Sequence, residues 1–264
     1  MIGKICTESS ILSPEFQFWC SKFNRAGMLN RKAWEWAFIA QTLKEHGVLQ
    51  PNMEGLAFAV GGEPLVSCFA SLGPHILATD LDLEKAEKVG WADSNQHAIN
   101  KDRLNCYGLC DQIIFNERVD FEPVDMNAIP DKFHDKFDFV WSSCALEHLG
   151  SIQHGTDFII ESIKCLKKGG VAVHTTEYNV SSNSSTLDSG PTVLFRRRDI
   201  EHIMEKIHAV GCISDMDFDC GTSFKDYHVD IPPYGSDPHL KLMIQNYTVT
   251  SIGMVIVKPG NLNK

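Results

Sequence analysis

A chain of 264 residues with 43% apolar content is long enough to bury one large α/β core with an extra element. Its formal charge of −10 offers no electrostatic footprint for a polyanion, which argues against DNA or RNA and for a small-molecule substrate. No apolar run approaches the roughly 20 residues that span a bilayer, and "MIGKICTESS" has neither a basic start nor an apolar leader, so a cytoplasmic protein with no membrane partner is expected.

Residues 14 to 48 carry apolar residues at helical spacing, with Trp34, Ala37, Phe38 and Leu43 on one stripe and Gly47 as a stop. They define an N-terminal helical appendage, residues 1–54, which either packs on the core or roofs a ligand site. From residue 55 to 264 short apolar runs alternate with helical stretches, the signature of a doubly wound, mostly parallel sheet. The expected strands are 56–60, 75–80, 119–125, 137–142, 170–176, 216–221 and 247–258. Only a loop separates the last two, so they are expected to pair as an antiparallel hairpin. Residues 84–106 read as a helix interrupted near Gly90. Nine cysteines at irregular spacing, with no CxxC pair, read as reduced thiols.

In an open parallel sheet, ligands bind beyond the carboxyl ends of the strands where the strand order reverses. After the first strand of the domain, Gly61 and Gly62 let backbone approach a ligand, and Pro64 suits the start of a helix. Asp80 ends the next strand, where a carboxylate can accept from both hydroxyls of a ribose. Asp125 and Met126 combine an acceptor for an exocyclic amine with an apolar flank for an adenine ring. After the fourth strand, Ser142, Ser143, Cys144 and Ala145 leave room for a ligand before Glu147 and His148.

With these segments in place, residues 55 to 258 resemble the class I S-adenosylmethionine-dependent methyltransferases. "AVGGEPL" stands where that family has its glycine turn, "ATDLD" carries the ribose acid, "VDMNAIPDKFHDKFDFVWSSCALEHL" is similar to the adenine segment running into the fourth strand, and "IIESIKCLKKGGVAVHTTE" to the turn into the fifth. The resemblance implies a Rossmann-like seven-stranded mixed sheet with an antiparallel last strand. It also implies S-adenosylmethionine as cofactor, with S-adenosylhomocysteine as product. The implied cofactor contacts are Val60, Gly61, Gly62, Glu63, Asp80, Leu81, Asp125, Met126 and Ser142. One departure stands out: the family's acid falls near Ala57, and only Gly61 clearly keeps a glycine. Glu63 could supply the missing negative charge by pairing with the cofactor's ammonium, or be only a helix-dipole contact. A nicotinamide dehydrogenase fits less well, because "GGEPL" lacks the third glycine of GxGxxG.

Methyl transfer from a sulfonium mainly requires alignment, and a hydroxyl acceptor also needs a base. The candidates are His148, His174 and Glu177. Glu147, His154, His228 and Asp230 join them as conceivable metal ligands, but no pair has a spacing such as HExxH and no metal is expected. The polar segment 179–192 is long enough to fold over a site. Arg196 and Arg197 could grip a phosphate or carboxylate of the substrate, or pair with Asp199 and Glu201. Tyr227, His228 and Tyr234, in the insertion 226–242, are candidate acceptor contacts.

"RKAWEWAFIAQ", "WSSCALEHLG" and "VAVHTTEYN" are similar to bacterial methyltransferases of glycan or specialised-metabolite assembly, which favours a sugar-linked hydroxyl, with an amine or phosphate oxygen next. The eroded glycine turn keeps a catalytically inactive scaffold of the same fold open, and a homodimer is likewise left open.

Overall fold

The computed structural model describes residues 1–88, 97–235 and 237–260. In chain order the strands are β1 (Gly3–Ile5), β2 (Glu54–Phe58), β3 (His75–Asp80), β4 (Val119–Pro123), β5 (Phe137–Ser143), β6 (Leu166–Asn179), β7 (Met216–Asp217), β8 (Leu242–Ile244) and β9 (Tyr247–Val257). They form one sheet in the order β4-β3-β2-β5-β6-β9-β1-β7, with β8 paired to β9 off that path. The helices are α1 (Glu8–Ile11), α2 (Pro14–Lys22), α3 (Arg31–Glu45), α4 (Leu65–Leu72), α5 (Leu83–Lys88), α6 (Gln112–Arg118), α7 (Ile152–Cys165) and α8 (Arg197–Ala209).

Strands β4, β3, β2, β5 and β6 are parallel, and β9 runs antiparallel to β6. The Rossmann-like mixed sheet expected from the sequence is therefore present, with nine strands in place of seven. The order reverses between β2 and β5, which places the ligand crevice at their carboxyl ends.

The expected hairpin between 216–221 and 247–258 does not form. β1 lies between those segments, antiparallel to β9 and parallel to β7. β9 instead turns back on β8 through Gln245, whose φ is 52°. A three-residue strand at the N-terminus shows too little alternation to be read from sequence, yet it occupies the β9 edge that β7 would have used.

Two apolar layers cover the sheet. On one face lie α2, α3, α4 and α6, with Trp34, Phe38, Phe69 and Phe115 fully buried. The predicted stripe Trp34, Ala37, Phe38 and Leu43 is inside, but every residue from Ala33 to Leu43 is buried, because α2 covers the outer side of α3. Gly253 in β9 makes this approach possible: a Cβ there would collide with the Phe38 ring. On the other face, α8 presents Ile200, Ile203 and Ile207 at helical spacing, all 0% exposed, each burial being worth about 1.5–3 kcal/mol.

Of the helix expected over 84–106, α5 and a 3-10 turn at Lys101–Arg103 lie among the described residues, while 89–96 lie outside them. α6 was not expected. Asp111 caps it by accepting from the amides of Ile113 and Ile114, the residue type that marks a helix start. β4 ends at Pro123, two residues short of the expected limit, since Pro cannot continue the ladder as a donor. Among the described residues no helix is long and apolar enough to cross a membrane.

Candidate active site

Beyond the carboxyl ends of β2, β3, β4 and β5 lies a cavity of about 1020 Å³, room for a nucleoside-sized cofactor and a small acceptor together. Gly61, Gly62 and Glu63 line it from the turn after β2, and Asp80 and Leu81 from the end of β3. Asp125, Met126 and Asn127 follow β4, while Ser143, Cys144, Ala145 and His148 follow β5.

The turn after β2 has an unusual backbone. Ala59 and Gly61 both adopt φ of 50°, the left-handed region where a Cβ is penalised. Asp80 holds this turn. Its Oδ2 accepts from Gly61 N at 2.9 Å and Ala98 N at 3.0 Å, and its Oδ1 accepts from Leu81 N at 2.8 Å. Burial pushes the Asp80 carboxyl up from its ordinary range, and those three amides pull it back. Of roughly four lone-pair directions on an ionised carboxylate, one remains for a ligand.

Glu63 stands at the cavity edge with Oε1 3.2 Å from Lys32 Nζ, so its charge is already shared with a lysine. Asp125 meets Lys85 at 2.8 Å, and an incoming amine would compete with that lysine. Two implied cofactor residues do not reach the cavity. Val60 is 3% exposed and packs in the core. Ser142 is fully buried, its Oγ 2.8 Å from His174 Nδ1. Its neighbour Ser143 lines the cavity instead, and its buried Oγ has no hydrogen-bond partner. The alternation of a strand decides this: a one-residue step reverses the face.

His174 is corrected as a base. It is 0% exposed, its two ring nitrogens meet the hydroxyls of Ser142 and Ser162 at 2.8 and 3.0 Å, and burial lowers its pKa to about 3. It is a neutral structural histidine. His148 lines the cavity, and its Nδ1 lies 2.9 Å from Pro191 O. A carbonyl only accepts, so Nδ1 carries the proton and Nε2 is the basic nitrogen of the neutral ring. The 3-10 turn Leu146–His148 that presents it follows directly from β5.

Behind Cys144 lies a charged cluster. Arg31 Nη2 is 2.5 Å from Glu177 Oε1, Arg31 Nη1 is 3.3 Å from Glu35, and Lys32 Nζ is 2.9 Å from Glu35 and 3.2 Å from Glu63. Thr176 Oγ1 donates to Glu147 Oε2 at 2.9 Å, and Ser251 donates to Glu35. Burial pushes the Glu177 carboxyl up to about 7, against the pull of Arg31 and with the charges of Glu147 and Glu35 adding to the rise. One oxygen each of Glu147 and Glu177 has no hydrogen-bond partner.

The arginine and insertion candidates lie elsewhere. Arg196 closes on Asp199 at 2.7 Å and on Ser184 O at 3.0 Å, while Arg197 pairs with Glu201 at 2.8 Å and covers the Phe218 ring. Both arginines are engaged in these local pairs at the start of α8, and neither lines the cavity. Tyr227, His228 and Tyr234 are exposed and outside the cavity lining, and Tyr234 donates to Met243 O. The residues missed from sequence are Lys32, Trp36 and His97 on the cavity wall and Arg31 behind it. Lys32 and Trp36 sit on α3, which both packs on the sheet and roofs the cavity. From the segment 179–192, Gly190, Pro191 and Thr192 also reach the lining.

No family model and no curated protein matches the sequence. Among solved structures, a Bordetella parapertussis protein described as a possible exported protein superposes with a TM-score of 0.55 at 12% identity, over 87% of this chain and 69% of that one. The likeness is one of fold. The methyltransferase domain of bacterial-CtHen1-CN aligns with a TM-score of 0.49 at 14% identity, over 86% of this chain and 100% of that one. An S-adenosylmethionine dependent methyltransferase from Mesorhizobium loti gives 0.47 at 12% identity, over 82% of this chain and 95% of that one.

Proposed function

We propose that the protein transfers a methyl group from S-adenosylmethionine to a small-molecule acceptor in the cytoplasm, with a hydroxyl, most simply that of a sugar-linked metabolite, as the nucleophile. The observation that carries this reading is the convergence on one cavity, at the point of strand reversal, of a glycine turn, the Asp80 strand end and the Asp125–Met126 pair. Asp80 keeps one acceptor position for a ribose, Met126 offers an apolar flank for a base, and Ser143 offers an unpaired hydroxyl. His148 Nε2 would take the proton of the acceptor hydroxyl, and S-adenosylmethionine, held by the turn at Gly61 to Glu63, Asp80 and Met126, would supply an activated methyl group. Displacement on an activated methyl needs little else beyond alignment, which the α3 roof and the 190–192 segment supply.

Calorimetric titration with S-adenosylhomocysteine tests the reading. Micromolar binding by wild-type protein, weakened at least about tenfold in Glu63→Ala, is the expected outcome. An absence of binding in folded protein freed of carried-over cofactor favours the inactive scaffold, whose support is the altered glycine turn.

A further inference from the structure

We infer that Glu147, Glu177 and Cys144 form a subsite for a protonated amino group, so that the acceptor is an amino alcohol or amino sugar anchored by its ammonium and methylated on a neighbouring oxygen. The inference rests on the methyl-transfer reading for the role of the ligand, though the subsite itself stands on separate observations.

The three residues come from the end of β5, the 3-10 turn after it and the end of β6. A carboxylate oxygen of Glu147, one of Glu177 and the Cys144 sulfur lie within 4.8 Å of one another. Glu147 is 0% and Glu177 6% exposed, and each has an oxygen without a hydrogen-bond partner. Leaving such groups unpaired inside a protein is costly, more so for charges. Cys144 lines the cavity while Glu147 and Glu177 do not, so the cysteine is the member of the cluster that meets the cavity, and His148, also on the lining, brings Nε2 to 4.0 Å from Glu147 Oε1.

The surrounding charge favours a cation. Glu35, Glu63, Glu147 and Glu177 stand against Arg31 and Lys32, four carboxylates to two cations, so two negative charges are uncompensated when all six are ionised. The Glu177 pKa is raised chiefly by burial, and the charges of Glu147 and Glu35 add to that rise against the pull of Arg31.

Thiol chemistry favours an ammonium over a metal. Acceptors placed tetrahedrally about an ammonium nitrogen at charge-assisted hydrogen-bond distance are about 4.4–4.7 Å apart, and sulfur and oxygen ligands of a tetrahedral zinc ion about 3.5 Å, so atoms within 4.8 Å of one another can hold either. A metal would need the Cys144 thiolate, whereas burial and the neighbouring carboxylates push that thiol well above its ordinary pKa. An ammonium held there stays protonated and is not a nucleophile, which leaves a nearby hydroxyl, facing His148, to receive the methyl group.

The test is a ligand-observed NMR titration of the full chain at neutral pH with 2-aminoethanol, against ethylene glycol as its neutral isostere and zinc chloride as the metal probe. Saturable binding of 2-aminoethanol at least about tenfold tighter than of ethylene glycol, lost in Glu147→Gln while the melting transition persists, is expected. Glu177→Gln provides a second variant should the first fail to fold. Equal affinity for the two probes, or 2-aminoethanol binding unaltered in both variants, overturns the inference. So does stoichiometric zinc binding that vanishes in Cys144→Ser. S-adenosylhomocysteine binding is measured on the same samples: if it persists while 2-aminoethanol fails, the subsite alone is wrong. If 2-aminoethanol binds and the cofactor does not, the methyl-transfer reading is wrong and the cation site remains.

Discussion

The amide of Gly61 donates to Oδ2 of Asp80 across 2.9 Å, tying the turn after β2 to the end of β3. One carboxylate thus shapes the turn and keeps a lone pair at the cavity. Replacing Asp80 by Asn turns one acceptor into a donor that faces the amides of Gly61 and Ala98. The expected result is a loss of about 1–3 kcal/mol in stability and S-adenosylhomocysteine binding weakened more than about tenfold, read by denaturant titration and calorimetry.

Ala59 bears strain that a glycine would remove, since its φ is 50°. The Ala59→Gly protein is expected to gain about 1 kcal/mol, a rise of about 2–4 °C in Tm for a chain of this size. A lower Tm in scanning calorimetry would show that the Cβ contributes more through packing than it loses in conformation.

His148 and His174 should separate cleanly. His148→Gln is expected to slow methyl transfer, to any acceptor found by screening, by about 10²–10⁴-fold while leaving cofactor affinity unchanged. His174→Leu strands the buried hydroxyl of Ser142, while that of Ser162 keeps its bond to Ile159 O, lowering stability by about 1–3 kcal/mol with cofactor affinity retained. The reverse pattern would return His174 to the chemistry.

Glu177 makes stability depend on pH in a defined direction. Its folded pKa of about 7 exceeds the ordinary 4.5, so the native state holds a proton that the unfolded chain releases across that interval. Its contribution is complete below the unfolded value and is lost as pH rises through the folded one. Relative to wild type, Glu177→Gln should therefore gain in Tm between pH 5 and pH 8, by about 3 °C or more. A difference independent of pH would mean that Glu177 is already ionised at pH 5 through its pair with Arg31.

Several features of the site were legible because they depend on strand ends. Asp80 and the glycines after β2 follow apolar runs long enough to identify strands, Asp125 and Met126 follow the alternating segment of β4, and the carboxyl ends of parallel strands gather on one edge. The faces of Ser142 and Ser143 cannot be told apart from sequence because every residue of β5 from Phe139 to Ser143 is buried on both faces and either apolar or small.

What the sequence by itself determined was the alternation of strands and helices, and with it the sheet and the edge at which its ligand crevice opens. Periodicity and turn chemistry are local and need only neighbouring residues. Only the tertiary structure decided that β1 enters the sheet between β9 and β7, that His174 is sealed between two serines, and that Arg31 meets Glu177 and Lys32 meets Glu63. Those pairings join residues far apart in the chain, Arg31 and Glu177 by 146 positions and Lys4 and Gly253 by 249. Charge and burial at such range are set by which faces pack together, and no local pattern records that.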